Sequence, residues 1–190
     1  MLRAPFGQAI DVGVRITAIP QTQVVDACIA AKKLKTGALM GFAAVLGGVI
    51  AGGSATRLSA LDEFGRDLGV SLQMFDDLGN VTGIREPSKR YEDLMALRPS
   101  WVWACAANSA RPHDYARFRE AVAELPDATR LTAWLEEHDL LELARKGARH
   151  HLERAFVPLE ARFCVNGREG ARRAFKELRE LGEEIATAYE

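Results

Sequence analysis

Several features that mark other protein classes are scarce in this 190-residue sequence. Its three cysteines, Cys28, Cys105 and Cys164, lie far apart and form no CxxC pair, which argues against a disulfide framework and against a zinc site. Lys and Arg number 25 against 26 Asp and Glu, so the chain lacks the basic excess typical of a nucleic-acid-binding protein. Alternation of apolar and polar residues, which indicates a half-buried strand, is hard to find.

We also expect no targeting segment, because Met1–Phe6 contains no apolar stretch of the kind that a secretory signal needs. The longest apolar run, Gly37–Gly53, follows three nearby lysines and is short for a membrane span of about 20 residues. We interpret this run as a buried core helix and expect no transmembrane segment. The cysteines are then buried small hydrophobes of a cytoplasmic protein.

Helical signals dominate and predict an all-α fold. Pro20 precedes a long helical segment over Gln21–Ala51, and Pro is favoured in the first turn of a helix. Ser54 is a candidate N-cap for the next helix, whose apolar residues recur at spacings of three and four as far as Phe75.

The rest of the chain follows the same pattern. Gly79–Pro87 contains two glycines and a proline and predicts a surface loop, whereas Gly170–Tyr189 predicts a final amphipathic helix. At about 150 residues per domain, the length fits one helical domain over residues 1–190. We therefore predict a helical bundle with short connections.

The most informative polar residues lie near the end of the helix that begins at Ser54. Asp76, Asp77 and Asn80 follow Gln73 at offsets of three, four and seven, which places all four side chains along one stripe of a helix. Neighbouring carboxylates beside apolar turns are costly unless a cation compensates them. Oxygen ligands suit magnesium, which uses one or two carboxylates and completes its shell with water and phosphate oxygens. The alternative is that Asp76 and Asp77 merely lie in solvent at a helix end.

Cationic side chains elsewhere in the chain could bind the phosphate oxygens that complete the magnesium shell. Lys35 and Thr36 stand within the long apolar segment, and an ammonium beside a hydroxyl suits phosphate oxygens. Alternatively, Gly37 kinks the helix and Lys35 extends outward. Lys89 and Arg98 follow the acidic pair and could close over a phosphate–metal cluster, although solvated loops carry such charges as well.

In chain order, these residues form a set that resembles the C-terminal half of the trans-isoprenyl diphosphate synthases. This polyprenyl synthetase family includes the farnesyl and geranylgeranyl diphosphate synthases. The matching motifs are Gly7–Asp11, Lys35–Leu39, Leu72–Asp77, Lys89, Asp93 and Arg98–Ser100. Specific motifs cover Gly7 to about Ala107, and beyond that point the resemblance rests on helical character.

The resemblance implies an all-α isoprenoid synthase fold, magnesium as the cofactor and isoprenyl diphosphates as the substrates. In that family an allylic diphosphate ionises, the double bond of isopentenyl diphosphate attacks the carbocation, and a proton is lost. Asp76 and Asp77 would hold magnesium, with Asn80 in place of the last carboxylate of a DDxxD motif. The implied diphosphate-binding residues are Lys35, Thr36, Gln73, Lys89 and Arg98, of which the first three are also the expected catalytic residues.

Two elements of the family pattern are absent from this sequence. Neither an upstream DDxxD motif nor the GGKR-like element that binds isopentenyl diphosphate occurs. We therefore expect an incomplete, second-half bundle that is inactive alone. It is either a trimmed fragment or one subunit of a split synthase, and we expect a companion chain that carries the first aspartate-rich motif, or a homo- or hetero-oligomer. The alternatives are a non-catalytic regulatory subunit of a full-length synthase and a helical interaction protein that has lost the chemistry.

Overall fold

A computed structural model describes residue 9 and residues 13–84, 86–163 and 169–189. Every regular element in these ranges is helical, which confirms the all-α class. In chain order the helices are α1 (Gln21–Lys32), α2 (Ala38–Ile50), α3 (Ala55–Thr82), α4 (Glu92–Met95), α5 (Trp101–Ser109), α6 (Pro112–Ala123), α7 (Thr129–Glu137), α8 (Leu140–Phe163) and α9 (Glu169–Thr187). Cys164 and most of the Gly7–Asp11 motif lie outside the described residues.

The predicted helical segment Gln21–Ala51 is confirmed, with one local departure from α geometry. A π-helical turn over Lys33–Gly37 joins α1 to α2. Such turns are uncommon, and they are found frequently at functional sites. This one contains Lys35 and Thr36, so the chain departs from regular helix at the two residues singled out for their chemistry.

Helix α3 starts where the sequence indicates and ends later than expected. Ser54 is its N-cap residue, although its side chain makes no capping hydrogen bond. The prediction of a loop starting at Gly79 is wrong, because α3 continues to Thr82 and stops at Gly83, whose φ of 73° suits glycine. A tertiary contact accounts for the glycine at this position within the helix, since a Cβ on Gly79 would lie 2.5 Å from the ring of Tyr189.

The position of α2 on α3 depends on glycines at the helix crossing. A Cβ on Gly65 would lie 2.5 Å from the Met40 carbonyl oxygen, and one on Gly69 would lie 2.8 Å from the Thr36 carbonyl oxygen. The two backbones therefore approach to distances that leave no room for a side chain. This close approach brings the π-helical turn beside the C-terminal half of α3.

We predict that Gly69→Ala lowers the free energy of unfolding by about 1–3 kcal/mol, the usual cost of overpacking. Gly47→Ala provides the matched control, because its Cβ would meet no atom within 4 Å. That change should stabilise the helix by about 0.5–1 kcal/mol. Urea unfolding followed by circular dichroism measures both effects. Shifts of the same sign in the two variants would contradict this account of the crossing.

The core forms around α3, which packs against α2 on one side and α8 on another. Phe64 of α3 meets Phe156 of α8 edge to face, with ring centroids 5.1 Å apart. A second cluster of aromatic rings joins α5, α6 and α7. Its members are Trp103, Tyr115, Phe118 and Trp134. Cys28 and Cys105 are buried free thiols, as predicted.

The interpretation of Gly37–Gly53 as a buried core helix is wrong for one face of α2. Large apolar side chains at spacings of three and four form a stripe that is 47–80% exposed, here called the α2 stripe: Leu39, Phe42, Leu46, Val49 and Ile50. Only the opposite, glycine-rich face packs on α3. Among the described residues, Gln21–Ile50 is a helix long and apolar enough to cross a membrane by length and composition.

Candidate functional site

Two adjoining clefts contain most of the residues that the sequence motifs single out. The inner cleft, of about 180 Å³, is lined by Ala31, Lys32, Lys35, Gln73, Asp76, Asp77, Asp93, Arg98, Pro99 and Ser100. The outer cleft, of about 520 Å³, is lined by Asp76, Gly79, Asn80, Glu86, Lys89, Glu92, Asp93 and Tyr189. Asp76 and Asp93 belong to both clefts.

A chain of hydrogen bonds links the π-helical turn to Asp76. The Thr36 hydroxyl donates to Oε1 of Gln73 at 3.0 Å, and Nε2 of Gln73 donates to Oδ2 of Asp76 at 2.8 Å. The Tyr189 hydroxyl donates to the other oxygen of Asp76 at 3.4 Å. Asp76 is exposed, so its carboxylate is oriented by neighbours while it stays open to the clefts.

Asp77 has a different environment from its neighbour. Its side chain is 5% exposed, and Oδ2 lies 2.6 Å from the Nζ of Lys32, which is itself 3% exposed. The backbone N–H of Trp101 donates to the same oxygen. Burial raises the pKa of the Asp77 carboxyl, and the Lys32 ammonium opposes that rise. The cation that compensates Asp77 is therefore part of the chain.

Asn80 ties the segment after α3 to the helix. Its side-chain amide donates to the Lys89 carbonyl oxygen at 2.9 Å and accepts from the Asp93 N–H at 3.3 Å. The Lys89 ammonium pairs with Glu86 at 2.7 Å, and the pKa of Lys89 is raised mainly by its hydrogen bond to that carboxylate. In this structure the predicted loop lysine thus lies over the outer cleft with an acidic partner.

Arg98 closes one side of the inner cleft. Its guanidinium lies 2.9 Å from Oδ1 of Asp93 and 3.6 Å from Oε1 of Glu92. Pro99 and Ser100 follow it along the cleft wall, and Ser100 is the N-cap residue of α5. The arginine therefore lies two residues before the N-cap of α5.

The donor set fits magnesium through one exposed carboxylate. No cluster of three or more His, Cys, Asp or Glu side chains suited to a metal occurs in the described part of the chain. Magnesium needs only one or two protein carboxylates when phosphate oxygens and water complete its shell. Asp76 meets that requirement, whereas Oδ2 of Asp77 already accepts from Lys32 and Trp101.

The structure brings all eight predicted site residues to one region. Seven line one of the two clefts, and Thr36 joins them through its hydrogen bond to Gln73. Sequence reasoning did not identify Lys32 or Tyr189 as neighbours of the site. Lys32 precedes Lys35 by one helical turn, but its partner Asp77 is 45 residues away, so no local pattern signals the pair.

Comparisons with known proteins agree with this architecture. A polyprenyl synthase from Roseobacter denitrificans superposes with a TM-score of 0.76 at 21% identity, covering 97% of this chain and 59% of that one. A decaprenyl diphosphate synthase from Rhodobacter capsulatus gives 0.75 at 18% identity, covering 98% and 56%. A polyprenyl synthetase from Streptomyces coelicolor A3(2) gives 0.74 at 24% identity, covering 95% and 55%. A search of curated proteins finds no match.

The extent of these matches defines what is shared. The chain spans somewhat more than half of the length of each of these structures, and the likeness to them shows the isoprenoid synthase fold. The family model for polyprenyl synthetase matches residues 1–137, which is well over half of this chain. Because the motifs, the fold and the family model agree, this chain belongs to the polyprenyl synthetase family.

Proposed function

We propose that this chain is a trans-prenyltransferase module that binds an allylic diphosphate through magnesium for head-to-tail condensation with isopentenyl diphosphate. One observation supports the proposal above the others. Asp76 is oriented by the Thr36–Gln73 hydrogen bonds on a cleft that Lys35 and Arg98 also line. An oriented carboxylate beside two cations suits a metal-bound diphosphate.

Each residue has a distinct role in this proposal. The Lys35 ammonium and the Arg98 guanidinium neutralise diphosphate oxygens, and Gln73 fixes the direction of the Asp76 carboxylate. Lys89 is placed to neutralise charge from the outer cleft. Bound magnesium supplies charge stabilisation for the departing pyrophosphate. In a site that excludes water, these cations act more strongly than they would in solvent.

Inorganic pyrophosphate is the probe for this site. We expect millimolar pyrophosphate with magnesium to raise the Tm, because a ligand that binds only the folded state stabilises it by about 2.7 kcal/mol at 100 times its Kd. Magnesium alone and pyrophosphate with a chelator serve as controls and should have much smaller effects. The absence of a magnesium-dependent shift would contradict the proposal and favour a non-catalytic subunit.

We also propose that the α2 stripe is covered by helices that bring the missing first aspartate-rich motif. The chain spans 55–59% of the length of the solved structures compared above, and in this proposal a separate polypeptide supplies the other helices of the fold. Five large apolar side chains along one helix form a contiguous patch of the kind that marks an interface. We expect the α2 stripe to bind the apolar face of a helix from a polypeptide that contains a DDxxD sequence. We expect this assembly in the cytoplasm.

Purification from the native host tests this partner. We expect the wild-type chain to co-elute with a polypeptide containing a DDxxD motif, and the variant Phe42→Gln/Leu46→Gln to lose it. Leu178→Gln is the matched control, because Leu178 is also exposed but belongs to a different helix, α9. A stable, monodisperse monomer, or a partner without that motif, would contradict the proposal.

A further inference from the structure

We propose that Lys32 and Asp77 form an internal positioning pair, which fixes the segment that carries Arg98 on the inner cleft and leaves Asp76 as the carboxylate that meets a cation. The part of this inference that concerns the metal rests on the proposed function. The part that concerns the pair stands on the geometry of the described residues alone.

The pair joins three separate parts of the chain. Lys32 is the last residue of α1, and Asp77 belongs to α3. The Lys32 ammonium donates to the Pro99 carbonyl oxygen at 3.4 Å as well as to Asp77, and the Trp101 N–H donates to Asp77. The pair therefore contacts both neighbours of Ser100, which are Pro99 and Trp101. Arg98 directly precedes this tripeptide.

Burial makes the pair sensitive to the loss of either member. Lys32 and Asp77 are 3% and 5% exposed, so removing one charge leaves the other in the interior without a counterion. A buried pair adds little stability over a neutral pair of similar shape, whereas breaking it is strongly destabilising. We therefore expect a variant in which both residues are neutral to be more stable than a variant in which only one of them is neutral.

The same geometry engages one oxygen of Asp77 within the protein, and the Lys32 ammonium supplies the counter-charge of this carboxylate. Oδ2 of Asp77 already accepts two hydrogen bonds, which use both of its lone pairs. A divalent ion at that oxygen would have to displace the ammonium 2.6 Å away. Asp76 is exposed, and it alone of the two carboxylates lines both clefts.

The first measurement is the Tm of Lys32→Met, Asp77→Asn and the double variant in the full-length chain. We expect each single change to lower the Tm by about 6–20 °C, and the double variant to recover at least half of the larger loss. Lys33→Met, on the exposed neighbouring lysine, should change the Tm by less than about 2 °C. If the double variant is no more stable than the less stable single variant, the proposed pairing of Lys32 with Asp77 is wrong. This comparison also applies when a single variant does not fold, because the double variant should then still fold.

The second measurement is local and is independent of ligand binding. Hydrogen exchange over residues 98–104, measured well below the Tm, should accelerate by at least about tenfold in Lys32→Met relative to Lys33→Met. The reason is that Asp77, which accepts from the Trp101 N–H, loses the ammonium that holds it, and the Pro99 carbonyl loses its donor. Unchanged exchange in that segment would show that the pair does not position it.

The third measurement concerns magnesium. The quantity measured is the ratio of the pyrophosphate Kd without magnesium to the Kd with magnesium. We expect this ratio in the double variant Lys32→Met/Asp77→Asn to stay within about threefold of the wild-type ratio, because Asp76 is intact. Loss of that dependence would overturn the assignment of Asp77 as a positioning residue. If the wild type itself shows no magnesium-dependent binding, the proposed function fails, and the first two measurements still decide the pair.

Discussion

Asp76→Asn is expected to weaken magnesium-dependent pyrophosphate binding by at least about 100-fold. Residues one shell beyond a metal ligand already cost on the order of 10- to 100-fold when they are changed, and Asp76 would be the ligand itself. The substitution preserves shape, and the Gln73 amide can still donate to the new side-chain oxygen, so the fold should be retained. Isothermal titration with pyrophosphate, with and without magnesium, measures the change.

Asp62→Asn is the matched control for this prediction. Asp62 is also a carboxylate on α3 with a polar partner, Arg66 at 2.9 Å, but it lines neither cleft. Its substitution should leave pyrophosphate binding within about threefold of the wild type. Equal losses in the two variants would indicate a general charge effect and would contradict a specific role for Asp76.

Phe156→Ala is expected to lower the free energy of unfolding by about 3–5 kcal/mol. The ring is 1% exposed and meets Phe64 at 5.1 Å and Phe175 at 5.6 Å between centroids, so it joins α8 to both α3 and α9. At 2–4 °C per kcal/mol, the Tm should fall by about 6–20 °C. Calorimetry should show one cooperative transition before and after the change.

Val157→Ala, the next residue, is the control. Val157 is 60% exposed, so its truncation should change the free energy of unfolding by no more than about 0.5 kcal/mol. Two separate transitions, only one of which responds to Phe156→Ala, would contradict the prediction that residues 1–190 form a single domain.

The helices could be predicted from sequence because local patterns determine most of them. The apolar spacing after Ser54 and the proline before Gln21 indicate α3 and the α1–α2 segment without reference to any partner. The end of α3 could not be predicted in this way. Gly79 favours a helix end locally, whereas in the structure it lies inside the helix and the ring of the distant Tyr189 packs against it.

In the candidate site, too, the local contacts could be predicted from the sequence and the long-range contacts could not. Offsets of three and four place Gln73 and Asp76 on one face, and the hydrogen bond between them follows directly from that spacing. The same spacing predicts the same role, magnesium binding, for Asp76 and Asp77. Their difference arises from Lys32 and the Trp101 N–H, which reach Asp77 from other helices and leave no trace in the motif.

The glycines between α2 and α3 also determine which parts of the site can vary. The separation of Thr36 from Gln73 is set by backbone touching backbone at Gly65 and Gly69, and not by the size of any side chain. The hydrogen bond between Thr36 and Gln73 therefore depends on these two glycines. An added methyl group at either glycine would widen the gap and disconnect the hydroxyl from the amide, so these two featureless positions should tolerate less variation than the polar groups they bring together.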